Sequence, residues 1–217
     1  MGRADAGWPA RADRAVSGGP RAAGGQRWRL ERLAPALGGD EAWLGEPIAP
    51  LTEAEGTAAL VERYLHAFGP ATEADVKWWL GSTLRLVRQA LADLGAVDVG
   101  CGYLLPEDLE PVPSVEPWVA LLGPLDPTTM GWQERDWYLG PHRPQLFDTA
   151  GNAGPTAWVD GRIAGGWRQS NSGEVQLELL EDVGTETRAA LEAEAARLTD
   201  WFAGVRVLLR FPSPLWS

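Results

Sequence analysis

Four polar side chains, Thr83, Arg85, Arg88 and Gln89, fall on what their spacing makes the outer face of one short helix. A second set, Arg162, Trp167 and Arg168, follows a tight turn at Asp160-Gly161. Guanidinium groups grip phosphate oxygens through paired N–H donors, threonine and glutamine reach phosphates or base edges, and tryptophan braces or stacks. The chemistry these residues offer is reversible holding of an anionic polymer. Covalent chemistry finds less support. Asp126, Glu134, Asp136, Asp148 and Asp160 match no general acid and base spacing; Asp126 reads as a helix cap and Asp160 as a turn residue. Gly161-Arg-Ile-Ala-Gly165-Gly166 lacks the lysine and hydroxyl of a phosphate loop, and no nucleophile motif surrounds His66, His142 or Cys101.

The elements that position the first set are legible around it. Thr52 and Glu55 form a capping box ahead of a stripe of Leu60, Val61, Tyr64, Leu65 and Phe68 that ends at Gly69. Thr72 caps a helix over 73–80 with Glu73 and Asp75 in its first turn, its apolar run of Val76, Trp78, Trp79 and Leu80 broken by Gly81. Ser82, a second cap, restarts the chain at once, and Leu84, Val87, Leu91 and Leu94 give a core face over 83–94, stopped by Gly95. VDVGCGYLL then alternates across Gly100-Cys101-Gly102 as a short hairpin. Three helices and a hairpin are the pattern of a winged helix over 51–105. The same pattern also serves as a packing unit or a protein-interaction module, and a charged outer face is ordinarily just solvated.

Pro106 to Pro117, with four acids and two internal prolines, reads as a linker. Beyond it, 118–217 reads as a small antiparallel β-barrel-like domain with a packed helix. Its expected pieces are a strand at Trp118–Leu122, a short helix capped by Asp126 with Pro127 first, and a hairpin of 155–159 and 162–168. An alternating strand at 174–179, a long helix over 185–203 bearing Leu191, Ala195, Leu198 and Phe202 inward, and a closing strand at 205–211 complete it. Of the tryptophans, Trp78, Trp79, Trp118 and Trp158 are expected in the core, while Trp132, Trp137 and Trp167 lie near turns where stacking on bases competes with burial. Residues 1–26, rich in Gly, Ala, Arg and Pro without periodicity, read as disordered, and 27–50 as the remnant of a preceding domain. The class is α+β.

Composition narrows the partners. A formal charge of −11 opposes non-specific coating of nucleic acid, but residues 1–33 hold seven arginines against three acids, a net of +4, which leaves −15 for the rest. Contact with phosphate in the body must therefore be local. One cysteine allows no internal disulfide, two distant histidines give no zinc spacing, and no cofactor or metal is expected. Apolar runs fall far short of the roughly eighteen residues of a membrane span, and the N-terminus lacks a signal-peptide core, so a cytoplasmic protein is expected.

Three stretches resemble the AlkZ-like (YcaQ-like) winged-helix DNA-binding proteins, bacterial glycosylases that unhook interstrand crosslinks or remove alkylated bases, and their relatives. They are WLGEPIAPLTEAE at 43–55, RYLHAFGPATEADVKWWLG at 63–81 and, most specific, ALLGPLDPTTMGWQERDWYLGPHRPQLFDTAGNAGPTAWVDGRIAGGW at 120–167. The resemblance implies tandem winged helices followed by a β-barrel-like domain, and double-stranded DNA, damaged or not, as partner. It also implies a Gln-x-Gln or Gln-x-Asp pair that activates water against the glycosidic bond, in a winged helix ahead of everything seen here. Gln26, Gln89, Gln133, Gln145, Gln169 and Gln176 make no such pair, and Gln176-Leu-Glu178 lies on the wet face of a strand. The expectation is a DNA-binding portion of such a protein, without catalytic residues of its own.

Overall fold

The computed structural model describes residues 45, 49–207 and 213–216. The chain divides into two units, Met1–Pro50 and Leu51–Ser217, and the second is the one described below. The expectations of disorder over 1–26 and of a domain remnant over 27–50 lie outside the described residues, save at 45, 49 and 50.

Helix α1, Glu53–Phe68, opens on the complete Thr52–Glu55 capping box and buries Val61, Tyr64 and Leu65. Helix α2, Glu73–Leu80, is closed by Gly81 at φ 61°, the left-handed geometry that glycine takes without a Cβ clash. Helix α3, Leu84–Asp93, starts on a Thr83 cap and turns Val87, Ala90 and Leu91 into a core shared with α1 and α2. Strands β1, Val97–Asp98, and β2, Tyr103–Leu104, pair antiparallel, and Tyr103 also bridges Ala71 ahead of α2. Gly102 makes that bridge possible: at φ 151° a Cβ there would stand 2.8 Å from the Ala71 backbone.

The apolar run of α2 does not all turn inward. Trp78 is 39% and Trp79 45% exposed, because successive helical residues are about 100° apart and a core on one side cannot take three neighbours at once. Leu84, at the first turn of α3, is likewise exposed, as is Trp118 just before the sheet.

Strands β3 (Val119–Leu122), β4 (Thr156–Val159), β5 (Arg162–Gln169) and β6 (Val175–Leu179) form one antiparallel sheet in sequence order. The β4–β5 turn places Asp160 at φ 47° and Gly161 at φ 82°, the doubly left-handed pair that suits a two-residue hairpin. Between β3 and β4 run three four-residue helices, α4 (Pro127–Met130), α5 (Asp136–Leu139) and α6 (Arg143–Leu146). These bring Tyr138, Leu139 and Leu146 onto Trp158 and Ile163. On other sheet residues lies α7, Thr185–Phe202, through Leu191 and Ala195. Among the described residues the sheet is open, with β3 and β6 at its edges, so the expected barrel-like closure is absent there. Val205 to Val207 are not strand, and 208–211, the rest of the expected closing strand, lie outside the described residues. No helix among the described residues is long and apolar enough to cross a membrane.

Candidate functional site

The start of α2 is held by a carboxylate that serves two segments at once. Asp75, 2% exposed, accepts at Oδ2 from the Thr72 amide (3.1 Å) and hydroxyl (2.9 Å), and at Oδ1 from the amides of Gln133 (2.7 Å) and Glu134 (2.8 Å). The turn between α4 and α5 is thereby fastened to the start of α2. Tyr64 adds a hydroxyl donated to the Gly131 carbonyl at 2.8 Å and Trp132 an indole N–H to the Phe68 carbonyl at 2.9 Å, while Glu134 Oε2, 2.7 Å from the Thr72 hydroxyl, shares that hydroxyl's one proton with Asp75. Beneath the turn Arg135 is 4% exposed, its guanidinium facing the rings of Phe147 at 5.0 Å and Trp78 at 5.4 Å. Burial pushes its pKa down. Rings thus take the place of a paired carboxylate.

Two grooves meet on this surface, sharing Ala74 and Gln133. One, of about 370 Å³, is lined by Lys77, Trp78, Gly81, Ser82 and Leu84 at the α2–α3 turn. The other, of about 590 Å³, runs along Glu134, Asp136 and Trp137.

The residues expected to make contact fare differently. Thr83 is spent partly as a cap, accepting from the Leu86 amide at 3.4 Å, and is exposed. Arg85 is exposed and carries no ion pair among the described residues. Arg88 donates from Nε to Glu73 at 2.8 Å, and Gln89 donates to Asp93 at 2.7 Å, so both are already engaged. In the hairpin set, Arg162 pairs with Glu181, which also faces His142 at 3.5 Å. Arg168 lies over the Trp216 ring at 4.4 Å. Trp167 is a correction. It is 5% exposed, with its indole N–H given to the Leu122 carbonyl at 2.8 Å, because the inward face of β5 meets α7 there. No hydrogen bond or ion pair among the described residues joins the two sets.

Lys77 is the groove-lining residue that sequence reasoning passed over, and Trp137 is the one of the three tryptophans weighed for stacking that stays exposed. Lys77 is exposed, without an ion pair among the described residues, and lines the groove beside Leu84. Trp137 is 65% exposed, its ring held edge-on by Trp132 (5.2 Å between centroids) and Tyr138 (4.8 Å). The available signal was the run Trp-Gln-Glu-Arg-Asp-Trp, where two large rings bracket four polar residues.

His142 offers a test of the hairpin's electrostatics. Burial, and secondarily the Arg162 guanidinium, hold its pKa below the ordinary 6.5. The unfolded chain takes up a proton that the folded site resists, so this group's contribution to stability is present above about pH 6.5 and is lost as pH falls. Replacing His142 by Phe is expected to flatten the fall in Tm between about pH 7 and pH 5, measured by thermal denaturation.

Among known proteins, the family model described as DNA glycosylase AlkZ-like matches residues 3–201. The solved structure of Streptomyces sahachiroi DNA glycosylase AlkZ shares the fold, with a TM-score of 0.64 at 24% sequence identity, over 82% of this chain and 49% of that one. The chain thus spans about half the length of that relative. No curated protein matches.

Proposed function

The chain belongs to the AlkZ-like DNA glycosylase family, and we propose that residues 51–217 act within it as a duplex-DNA-binding unit, in which α1 to α3 and the β1–β2 ribbon are a winged helix. The observation that carries this reading is the α2–α3 turn. There Lys77 lines a groove and Arg85 follows its lining residue Leu84, both exposed and without ion pairs among the described residues, in a chain that is otherwise strongly acidic. Cations that no carboxylate neutralises are the ones that release counterions from a phosphate backbone. Thr83 lies between them, and Arg162 and Arg168 of the hairpin would contribute only after leaving Glu181 and Trp216.

Base excision is not assigned to these residues. None of the glutamines of the chain stands in a Gln-x-Gln or Gln-x-Asp pair, and no cluster of acids and histidines able to hold a metal occurs among the described residues. The role is to grip duplex DNA, alkylated or crosslinked duplex included, in the cytoplasm of a bacterial cell.

A second reading has its own support: Trp78, Trp79 and Leu84 are exposed apolar groups at the same turn, a surface that also suits a protein partner. Titration with a fluorescent duplex at low and moderate salt separates the two. Affinity that falls steeply with salt supports the DNA reading, and binding that is absent or indifferent to salt supports the protein-partner reading.

A further inference from the structure

We propose that the groove along Gln133, Glu134, Asp136 and Trp137 receives one unpaired nucleobase bearing an exocyclic amine: adenine, cytosine or guanine rather than thymine. This deepens the DNA-binding reading and rests on it. The groove, at about 590 Å³, falls within the ~300–1,000 Å³ of small-ligand sites. Trp137 supplies the platform. An indole that is 65% exposed, yet fixed edge-on by Trp132 and Tyr138, is ordered before any ligand arrives and loses little freedom on stacking.

The polar lining says which ligand fits. Glu134 and Asp136 are exposed carboxylates, which repel phosphate but accept N–H donors, and Gln133 offers an amide. Adenine N6, cytosine N4 and guanine N2 present such donors as exocyclic NH2 groups, whereas thymine has one ring donor, N3–H, flanked by two carbonyls that a pair of carboxylates would repel. Lys77, in the adjoining groove, stands where the phosphates flanking such a base would run. The anionic half of the surface thus takes a base and the cationic half its backbone.

Anisotropy of fluorescein-labelled oligo-dA, oligo-dC and oligo-dT, read beside a labelled duplex, tests this. Oligo-dA and oligo-dC are expected to bind more tightly than oligo-dT. Trp137→Ala should weaken oligo-dA about tenfold, while Trp137→Phe, which keeps a ring, retains most of the affinity. Changing Glu134 to Gln and Asp136 to Asn together, so that both side chains donate as well as accept, should bring oligo-dT up to oligo-dA. Equal affinity of Trp137→Ala and the unchanged chain for oligo-dA, or equal affinity of the unchanged chain for oligo-dA and oligo-dT, overturns the inference. If the duplex still binds in those cases, the DNA reading survives without the base site; failure of every DNA form to bind overturns both.

Discussion

Replacing Asp75 by alanine is expected to lower stability by on the order of 2 kcal/mol, since two part-buried backbone amides lose their acceptor and half of a capping box disappears. Among the described residues the Gln133 and Glu134 amides have no other partner, and the ~1–3 kcal/mol of an unmet buried donor applies at its lower end to part-buried ones. Asparagine, which keeps one carbonyl acceptor but turns an NH2 group toward the remaining donors, should lose roughly half as much. Urea denaturation measures both. The loss should be local as well as global: in the alanine variant Trp132 and Trp137 leave their fixed positions, and the near-ultraviolet circular dichroism of the aromatic cluster should fall before the helical signal does.

Removing Lys77 and Arg85 together is expected to weaken duplex binding about ten- to a hundredfold at low salt, on the premise that each neutralises about one phosphate. Arg88→Ala should do far less, because Glu73 at 2.8 Å already occupies its guanidinium. The converse follows from the same geometry. Glu73→Gln removes the competing carboxylate and should tighten binding, which no purely structural role for Arg88 would produce. Fluorescence anisotropy on a single duplex resolves all of these, and the ordering matters more than any one value.

Local chemistry was readable wherever one or two neighbouring residues decide the outcome. The Thr52–Glu55 box, the Thr72 cap, the glycine stops and the Asp160-Gly161 hairpin sit where short-range rules place them, whereas the cap of α3 is Thr83 and not the expected Ser82, one residue earlier. So does the alternation of β6, with Val175 buried and Gln176 and Glu178 wet. Helices α5 and α6 were not foreseen, because four residues hold too little periodicity to register and Gly140, Pro141 and Pro144 punctuate them.

The site was less legible than the fold. Arg85 and Arg88 read alike in sequence, and only a carboxylate fifteen residues away, across the α2–α3 turn, separates them. Asp75 reads as a first-turn acid, but its second pair of donors comes from 58 and 59 residues further on. Trp167 and Trp137 both lie near turns; one meets α7 and the other meets solvent, a difference set by which elements pack and not by their neighbours in the chain. Long-range partners decide which polar groups remain available, and single-sequence patterns carry no record of them.

Amide hydrogen exchange of the chain with and without a saturating duplex tests the DNA-binding surface most directly. Slowed exchange over residues 77–89, spanning the end of α2, the turn and the exposed face of α3, is the expected result. Slowed exchange confined to the β4–β5 hairpin or the α7 surface, with 77–89 unchanged, would contradict it.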